Sequence, residues 1–433
     1  MRRIILFFCF LSILALACSL PASAPQPEPT ADNRLLETLV ATKLTAAVAA
    51  GTPSPLPPDP IGQATPQPPV TSTFSVVYTS SGNLWLRREN LPAAQLTSSG
   101  QDENPTLSSD GQVVAFTRNG QLYAVNADGS NERQLASQAY LDSFKTADVA
   151  RVSLRKFAFI PGTHSLLFDI IGLGDGYPFT YYDLHRVDAD KPAPSRILAE
   201  NKGGGAWSFS PDGNWLAISA ADTIRLMRPD GSDYQVLFKF KLVSTYSEWF
   251  YFPQVIWMRD ASGLYTVIPA SAALDNPQEP SRFYFIPLKG DPAKLAEFVA
   301  APVWISMPQL APDGTKIAYM RPAGNALELH IVDASTADRV FANAPADSFG
   351  LLGWNPNAKD FTYFSGSTNS AWLARLDSPP APLVDTPEIT SLRWLDDRRF
   401  IFISRGELRL REIGKPSSTL AADVSEYDVI VLK

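Results

Sequence analysis

Three histidines and a set of repeated Asp-Gly pairs are the residues of this chain whose types could support chemistry. His164, His185 and His330 lie far apart, and none has a second histidine at the spacing of a metal site. We therefore expect structural or surface roles for all three, and no bound metal. Each Asp-Gly pair follows one short apolar run and precedes another, which is typical of tight turns between β-strands.

Signatures of common enzyme classes are missing from the sequence. No Gly-x-Ser-x-Gly nucleophile motif occurs. The stretch "GLGDGY" around Asp175 lacks the strand-turn-helix context and the following lysine of a phosphate loop. Sialidase-type boxes place a residue between Asp and Gly, whereas here the two are adjacent. We expect neither catalytic residues nor a cofactor.

Charge and cysteine usage narrow the class of protein further. The 433 residues carry a formal charge of −7, which argues against nucleic acid, because binding it requires a basic surface. Apolar residues make up 45% of the chain, enough for a sizeable core. The only cysteines, Cys9 and Cys18, lie at the N-terminus, so the rest of the chain has no disulfide and no cysteine metal ligand.

The N-terminus, "MRRIILFFCFLSILALACS", has two arginines followed by an apolar run over residues 4–17. This run is too short to span a membrane but has the length of a signal-peptide core. Its end, Leu-Ala-Leu-Ala-Cys, resembles the lipobox of bacterial lipoproteins, in which the cysteine is acylated and becomes the mature N-terminus. The resemblance implies a signal peptide over 1–17 and lipid on Cys18. The alternative is a secretory signal cut after Ala24.

Residues 18–72 are predicted to form a tether. Prolines crowd its two ends, and such segments favour extended conformations and contain too few large apolar groups to fold. Between them, apolar residues recur every fourth position from Leu36 to Val48, which predicts a short helix near 33–50. Two heptads are too few for a stable coiled coil, so the tether is expected to provide distance from the membrane.

From residue 73 onward a single pattern repeats along the chain. The template "LSSDGQVVAF" begins at Leu107, and copies start 40 to 53 residues apart. The copies are "FIPGTHSLLF", "FSPDGNWLAI", "WMRDASGLYT", "LAPDGTKIAY", "WNPNAKDFTY" and "WLDDRRFIF". This period, with four short strands in each unit, is typical of the blades of a β-propeller.

The pattern resembles the TolB-type, WD-like propeller repeats of bacterial envelope proteins. Their motif is likewise a Ser-Pro-Asp-Gly turn, an Ile-Ala-Phe strand and a second Asp-Gly turn before the outer strand. The resemblance covers residues 73–433 and implies an all-β propeller that binds proteins or other ligands. A small Ala in the middle of the second strand, as in Val114-Ala115-Phe116, suits close approach of neighbouring sheets.

The two ends of the repeat region decide the number of blades. The segment after Phe74 supplies second, third and fourth strands without a first, and the C-terminal "EYDVIVLK" supplies a single strand. Together they complete one ring-closing blade, which removes open sheet edges. Seven internal units and this composite predict eight blades; seven is the alternative.

Four long segments fall on one face of such a propeller, at the links between blades and between second and third strands. They begin at Ser137, Ile170, Leu242 and Pro269, and two of them are rich in aromatic residues. Aromatics on loops of a rigid ring form a plausible binding surface; the alternative is that they plug the channel or pack on blade edges. The candidate binding residues are Tyr177, Phe179, Tyr181, Tyr182, Tyr246, Trp249, Phe250 and Tyr251.

The sequence therefore predicts a monomeric binding or scaffold propeller, anchored through Cys18 to the extracytoplasmic face of a bacterial membrane. Its expected partner is a protein, a peptide or an envelope polysaccharide. The alternative function is a glycosidase or lyase with its site at the channel mouth, which would require convergent carboxylates.

Lipid attachment can be tested directly. Cys18→Ala should give an unprocessed or soluble protein, because the acylated side chain is then missing. Detergent phase separation measures the effect, with Cys9→Ala as the matched control that should still partition into the detergent. Unchanged partitioning of the Cys18 variant would contradict the lipoprotein interpretation.

Overall fold

The computed structural model describes residues 73–147, 149–174, 178–180, 183–199, 205–247, 249–303, 305–333, 336–345, 349–365, 370–375, 378–383 and 388–432. The predicted signal peptide, tether and helix near 33–50 lie outside these ranges. The described part is a β-propeller of eight blades, each built on four antiparallel strands. The prediction of eight blades is confirmed, and the seven-blade alternative is wrong.

The strands are numbered along the chain, and each blade is given from its innermost strand outward. Blade 1 consists of β33 (Val424–Leu432), β1 (Thr73–Ser80), β2 (Asn83–Arg88) and β3 (Ala94–Gln95), and blade 2 of β4 (Asp102–Leu107), β5 (Val113–Arg118), β6 (Gln121–Asn126) and β7 (Arg133–Ala136). Blade 3 consists of β8 (Arg151–Phe159), β9 (Ser165–Leu173), β11 (Leu184–Asp188) and β12 (Ser195–Leu198), with the additional β10 (Pro178–Thr180) on β9. Blade 4 consists of β13 (Ala206–Phe209), β14 (Leu216–Ser219), β15 (Thr223–Met227) and β16 (Gln235–Lys239).

Blades 5 to 8 continue the same order without an additional strand. Blade 5 consists of β17 (Val255–Trp257), β18 (Gly263–Ile268), β19 (Ser281–Pro287) and β20 (Ala293–Phe298), and blade 6 of β21 (Gln309–Leu310), β22 (Lys316–Ala323), β23 (Ala326–Asp333) and β24 (Thr336–Pro345). Blade 7 consists of β25 (Phe349–Trp354), β26 (Asp360–Ser365), β27 (Ser370–Arg375) and β28 (Ser378–Pro382). Blade 8 consists of β29 (Ile389–Trp394), β30 (Arg399–Ser404), β31 (Glu407–Glu412) and β32 (Ser418–Ala421).

Blade 1 closes the ring with strands from both ends of the repeat region. β33 pairs with β1 from Thr73↔Leu432 to Ser80↔Val424, and β1 pairs in turn with β2. The predicted composite blade is therefore present, with its inner strand from the C-terminal segment. Closure leaves no inter-blade face uncovered at the seam.

The hydrophobic core is divided into layers between neighbouring blades. Eight buried clusters each combine side chains from two adjacent blades, so that every blade-to-blade interface has one. Second strands are buried on both faces: in β5, Ala115 packs toward blade 3 while Val114 packs toward blade 1. The small residue predicted at this position is fully buried in three blades, at Ala115, Ala217 and Ala318.

The Asp-Gly turns join first to second strands and, at Asp128-Gly129 and Asp230-Gly231, third to fourth strands, as predicted. In blade 4 the Gly213 N–H donates to the Ser210 carbonyl at 2.9 Å, and Gly213 adopts φ +70°, which favours glycine. The Ser210 hydroxyl donates to Asp212 at 2.5 Å. This hydrogen bond lowers the pKa of the Asp212 carboxyl, and desolvation, the next largest effect, raises it. The net pKa lies below its usual value.

The two faces of the ring differ. The tight-turn face carries the turns between first and second strands and between third and fourth strands, and the loop-rich face carries all other connections. On the loop-rich face, long connections follow one another from blade 2 to the link before blade 6; they are 137–150, which contains helix α1 (Gln138–Asp142), and 174–183, 240–254, 269–280 and 299–308. In the described ranges, no helix combines the length and apolar character needed to cross a membrane.

Removal of residues 426–433 tests the closure. The truncated chain should lose most of its stability, because β1 loses its inner partner and blade 1 loses packing against blade 8. Thermal or urea unfolding measures the loss, and deletion of Lys433 alone is the control. A midpoint close to that of the full chain would contradict a stabilising role for the closing strand.

Candidate functional site

A cavity of about 440 Å³ lies in the central channel. Its wall is built mainly by the inner strands of four successive blades, β29, β33, β4 and β8. The residues that line it are Asn104, Pro105, Thr106, Thr117, Leu154, Arg155, Lys156, Phe157, Ser391, Arg393, Ile403, Ser425, Glu426 and Tyr427.

Each of these four inner strands is irregular at the cavity. The pairing register shifts between Glu103 and Thr106 in β4, between Leu154 and Lys156 in β8, and between Ile389 and Ser391 in β29. In β33 the shift falls where Val424 and Glu426 pair with successive residues of β1. Such bulges redirect side chains and strengthen the local twist of a strand.

Arg155 and Lys156 are held at the cavity wall by buried groups behind them. The Arg155 guanidinium donates from two nitrogens to the Asp169 carboxylate, which is 1% exposed. The Lys156 ammonium donates to the Trp207 carbonyl at 2.7 Å and lies 4.1 Å from the centre of the Trp207 ring. The Trp207 indole N–H donates to Asp169 at 2.9 Å, which closes the cluster.

Burial affects the ionisation of this cluster in opposite directions. Desolvation raises the pKa of the Asp169 carboxyl, and the charge of Arg155 opposes it. Desolvation lowers the pKa of the Lys156 ammonium, and attraction to Asp169 opposes it. The cluster thus presents two cationic side chains to the channel while its carboxylate lies inside the wall.

Arg393 provides a third cation, from β29 of blade 8. Its guanidinium donates to Asp428 of β33, and its side chain is 50% exposed. Asp428 also accepts from the Leu107 N–H at 3.0 Å, and Glu426 accepts from the Asn104 N–H at 2.6 Å. Carboxylates of the closing strand therefore bind peptide groups on the inner edge of blade 2.

The predicted aromatic residues fall into three groups. Tyr177, Tyr181 and Tyr182 lie outside the described residues, and Phe179 lies in the short strand β10, where only the backbone is described. Tyr246, Trp249 and Phe250 are exposed, by 44%, 40% and 53%. Tyr251 is 3% exposed and packs inside the protein, so it is not part of an outer surface.

Tyr246, Trp249 and Phe250 belong to a larger exposed group, which we call the apolar patch. Eleven large hydrophobic side chains are exposed in the described ranges, and seven of them lie on three connections of the loop-rich face. The apolar patch consists of Leu242, Tyr246, Trp249, Phe250, Leu274, Ile305 and Met307. Sequence reasoning missed four of these, although the single aliphatic residues in long loops and the "ISM" stretch at 305–307 were a signal.

The three connections that carry the apolar patch are fixed to one another. Tyr251 packs beneath them with Val243, Ile268 and Val303. The Tyr246 hydroxyl donates to Asp275 at 2.8 Å, and the Ser244 N–H donates to the Ser271 carbonyl at 2.8 Å. The exposed apolar side chains therefore stand on a packed base.

Each of the three histidines is held by hydrogen bonds to neighbouring side chains of the fold. His185 is fully buried, with Asp183 2.8 Å from Nε2 and the Tyr140 hydroxyl 2.8 Å from Nδ1. His330 lies between Glu328 and Asp338 on the outer strands of blade 6. No group of three or more His, Cys, Asp or Glu side chains in the part of the chain that the structure describes is arranged to hold a metal ion.

Comparison with known proteins found similar solved structures but no matching family. No protein-family model matches the chain, and no curated protein matches it. Solved structures similar to it include a eukaryotic initiation factor, at 12% identity over 83% of this chain and 96% of that one, with a TM-score of 0.44. TolB from Acinetobacter baumannii is 15% identical over 64% of each chain, with a TM-score of 0.33. A protein described as TolB from Agrobacterium tumefaciens is 12% identical over 63% of this chain and 90% of that one, with a TM-score of 0.32.

His164 joins blades 2 and 3 on the tight-turn face, and its contacts there predict that the folding stability depends on pH. Its Nε2 lies 3.1 Å from Asp110 and its Nδ1 lies 2.9 Å from Asp190. Desolvation lowers the pKa of His164, but hydrogen bonds to Asp190 and Asp110 outweigh it, and the net pKa is raised. The stabilisation is therefore complete below the unfolded pKa of about 6.5 and is lost as the pH rises through the higher folded value.

Thermal unfolding of the wild type and of His164→Asn should accordingly differ more near pH 6 than near pH 8.5. The difference should be small throughout, because both aspartates are more than half exposed. A difference in unfolding midpoint between the two proteins that increases toward alkaline pH would contradict the assignment of a charged imidazole between two carboxylates.

Proposed function

We propose that this protein is a lipid-anchored, extracytoplasmic binding propeller, active as a monomer, that docks a protein partner on its apolar patch. The observation that carries the proposal is the concentration of seven exposed large hydrophobic side chains on three connected segments of one face. Large contiguous apolar patches are rare on monomeric soluble proteins and mark interaction sites. The three connections contact one another through buried side chains and hydrogen bonds, which brings their exposed side chains to one region of the face.

The side-chain types of the apolar patch favour a protein over a polysaccharide. Sugars stack on flat aromatic rings that have polar neighbours, whereas Leu242, Leu274, Ile305 and Met307 offer flexible aliphatic surface. Aromatic residues and methionine are enriched in the buried centres of protein interfaces. Trp249 and Tyr246 supply large anchors of the kind that dominate binding energy there.

The entry point of the tether supports this use of the loop-rich face. Strand β1 pairs antiparallel with β33 and begins at Thr73 beside Leu432, at the tight-turn face. Residues 18–72 therefore join the ring on the face opposite the apolar patch. With lipid on Cys18, this attachment leaves the patch available to a partner away from the anchoring segment.

The alternative of a glycosidase or lyase has less support from the channel. Glycoside hydrolysis generally requires two carboxylic acids that flank one bond. Among the described residues, Glu426 is the only carboxylate that lines the cavity, and it accepts a backbone N–H from Asn104. The geometry therefore favours a binding role.

The patch can be tested in the native envelope by photo-crosslinking from position 250 of the full-length protein. A discrete adduct with one envelope protein is expected, and Trp249→Ala should abolish it, because a truncated aromatic anchor costs on the order of 2 kcal/mol of binding. The thermal midpoint should change little, since Trp249 is 40% exposed.

Leu91 is the matched control, because it is 55% exposed and lies on the tight-turn face. Crosslinking from position 91 should give no such adduct, and Leu91→Ala should leave the adduct from position 250 unchanged. Adducts to lipid or polysaccharide alone, or adducts that survive Trp249→Ala, would overturn the proposal, as would a large loss of stability with capture retained.

A further inference from the structure

We propose that the central channel is a second binding site, for a small ligand that carries a compact oxyanion, a carboxylate or a phosphate. The ligand would lie between Arg155 and Lys156 of blade 3 on one side and Arg393 of blade 8 on the other. This site is separate from the apolar patch, because its wall comes from blades 8, 1, 2 and 3, whereas the patch is carried by connections of blades 4 to 6.

The placement of backbone irregularities is the first argument. All four inner strands that build the cavity wall shift register at the cavity. The inner strands of blades 4, 5 and 6 pair without a shift, and that of blade 7 shifts between Leu351 and Gly353, outside the cavity. Bulges are common beside binding sites because they re-aim side chains, and here Arg155, Asn104 and Ser425 fall at the shifts and line the cavity.

The arrangement of charge is the second argument. The cations face the channel, whereas the carboxylates that accompany them lie within the wall or are occupied by peptide N–H groups. Asp169 is 1% exposed, and Asp428 is 16% exposed and accepts from Leu107. Among the lining residues Glu426 is the one carboxylate, and it accepts from the Asn104 N–H. Three cationic side chains against one carboxylate give the lining a positive balance, and such a cleft attracts the opposite charge, so the lumen attracts anions although the chain as a whole is acidic.

The rigidity and size of the site are the third argument. Arg155 is held by two hydrogen bonds to Asp169, and Lys156 is held by the Trp207 carbonyl and ring, so ligand binding would not have to order them. The Lys156 ammonium has three N–H groups and arginine has five, so both keep donors for an oxyanion. A volume of about 440 Å³ lies in the range of small-molecule sites.

Titration calorimetry on the full-length protein in detergent tests the site. Citrate is the carboxylate probe, inorganic phosphate is the phosphate probe, and glucose at matched ionic strength is the neutral control. We expect saturable binding of at least one anion with one site per chain, and none of glucose. Lys156→Gln, whose amide can still donate to the Trp207 carbonyl, should weaken binding about tenfold or more.

Arg393→Gln should weaken binding similarly, and Arg398→Gln is the matched control. The Arg398 side chain is 67% exposed and pairs with Glu412 at a turn of the tight-turn face, outside the cavity. Thermal midpoints of all variants establish that the ring is intact. Absence of saturable binding of both anions, or equal weakening by the Arg398 variant, would overturn the proposal.

Discussion

The closure of the ring by β33 and β1 is the constraint on which the rest of this structure depends. Each blade is a sheet that must cover both of its faces, and only its two neighbours can do so. Eight interfaces therefore need eight blades in a closed circle, and one missing strand at the seam weakens blade 1 and its contacts to blades 2 and 8.

Closure also determines the chemistry of the channel. The inner strand of every blade has one unpaired edge, whose peptide groups need water or side-chain partners. Glu426 and Asp428 of the closing strand supply such partners to Asn104 and Leu107 of blade 2. The same strand thus completes the ring and fixes the polar wall of the cavity.

The sequence predicted those features that every blade must share. The Asp-Gly turn and the buried second strand are under the same constraints in each blade, so Ala115, Ala217 and Ala318 recur in register. The repeat can therefore be recognised in the sequence. Inner strands pair on one edge only and vary freely, from "LRKF" in β8 to "AWSF" in β13. Their bulges leave no mark in a single sequence, although two adjacent cations within a predicted strand were a signal. The long connections were predicted, but burial within them was not, so Tyr251 and Phe250 could not be told apart.

Indole side chains on three inner strands join successive blades around the channel. Trp257 donates to the Ser208 carbonyl at 3.3 Å, and Trp354 donates to the Gln309 carbonyl at 2.9 Å. Trp207 instead donates to the Asp169 carboxylate, which also accepts from Arg155 at the bulge in β8. At blade 3 the indole hydrogen bond between blades is therefore combined with two cations, Arg155 and Lys156, whereas at Trp257 and Trp354 it only joins the blades.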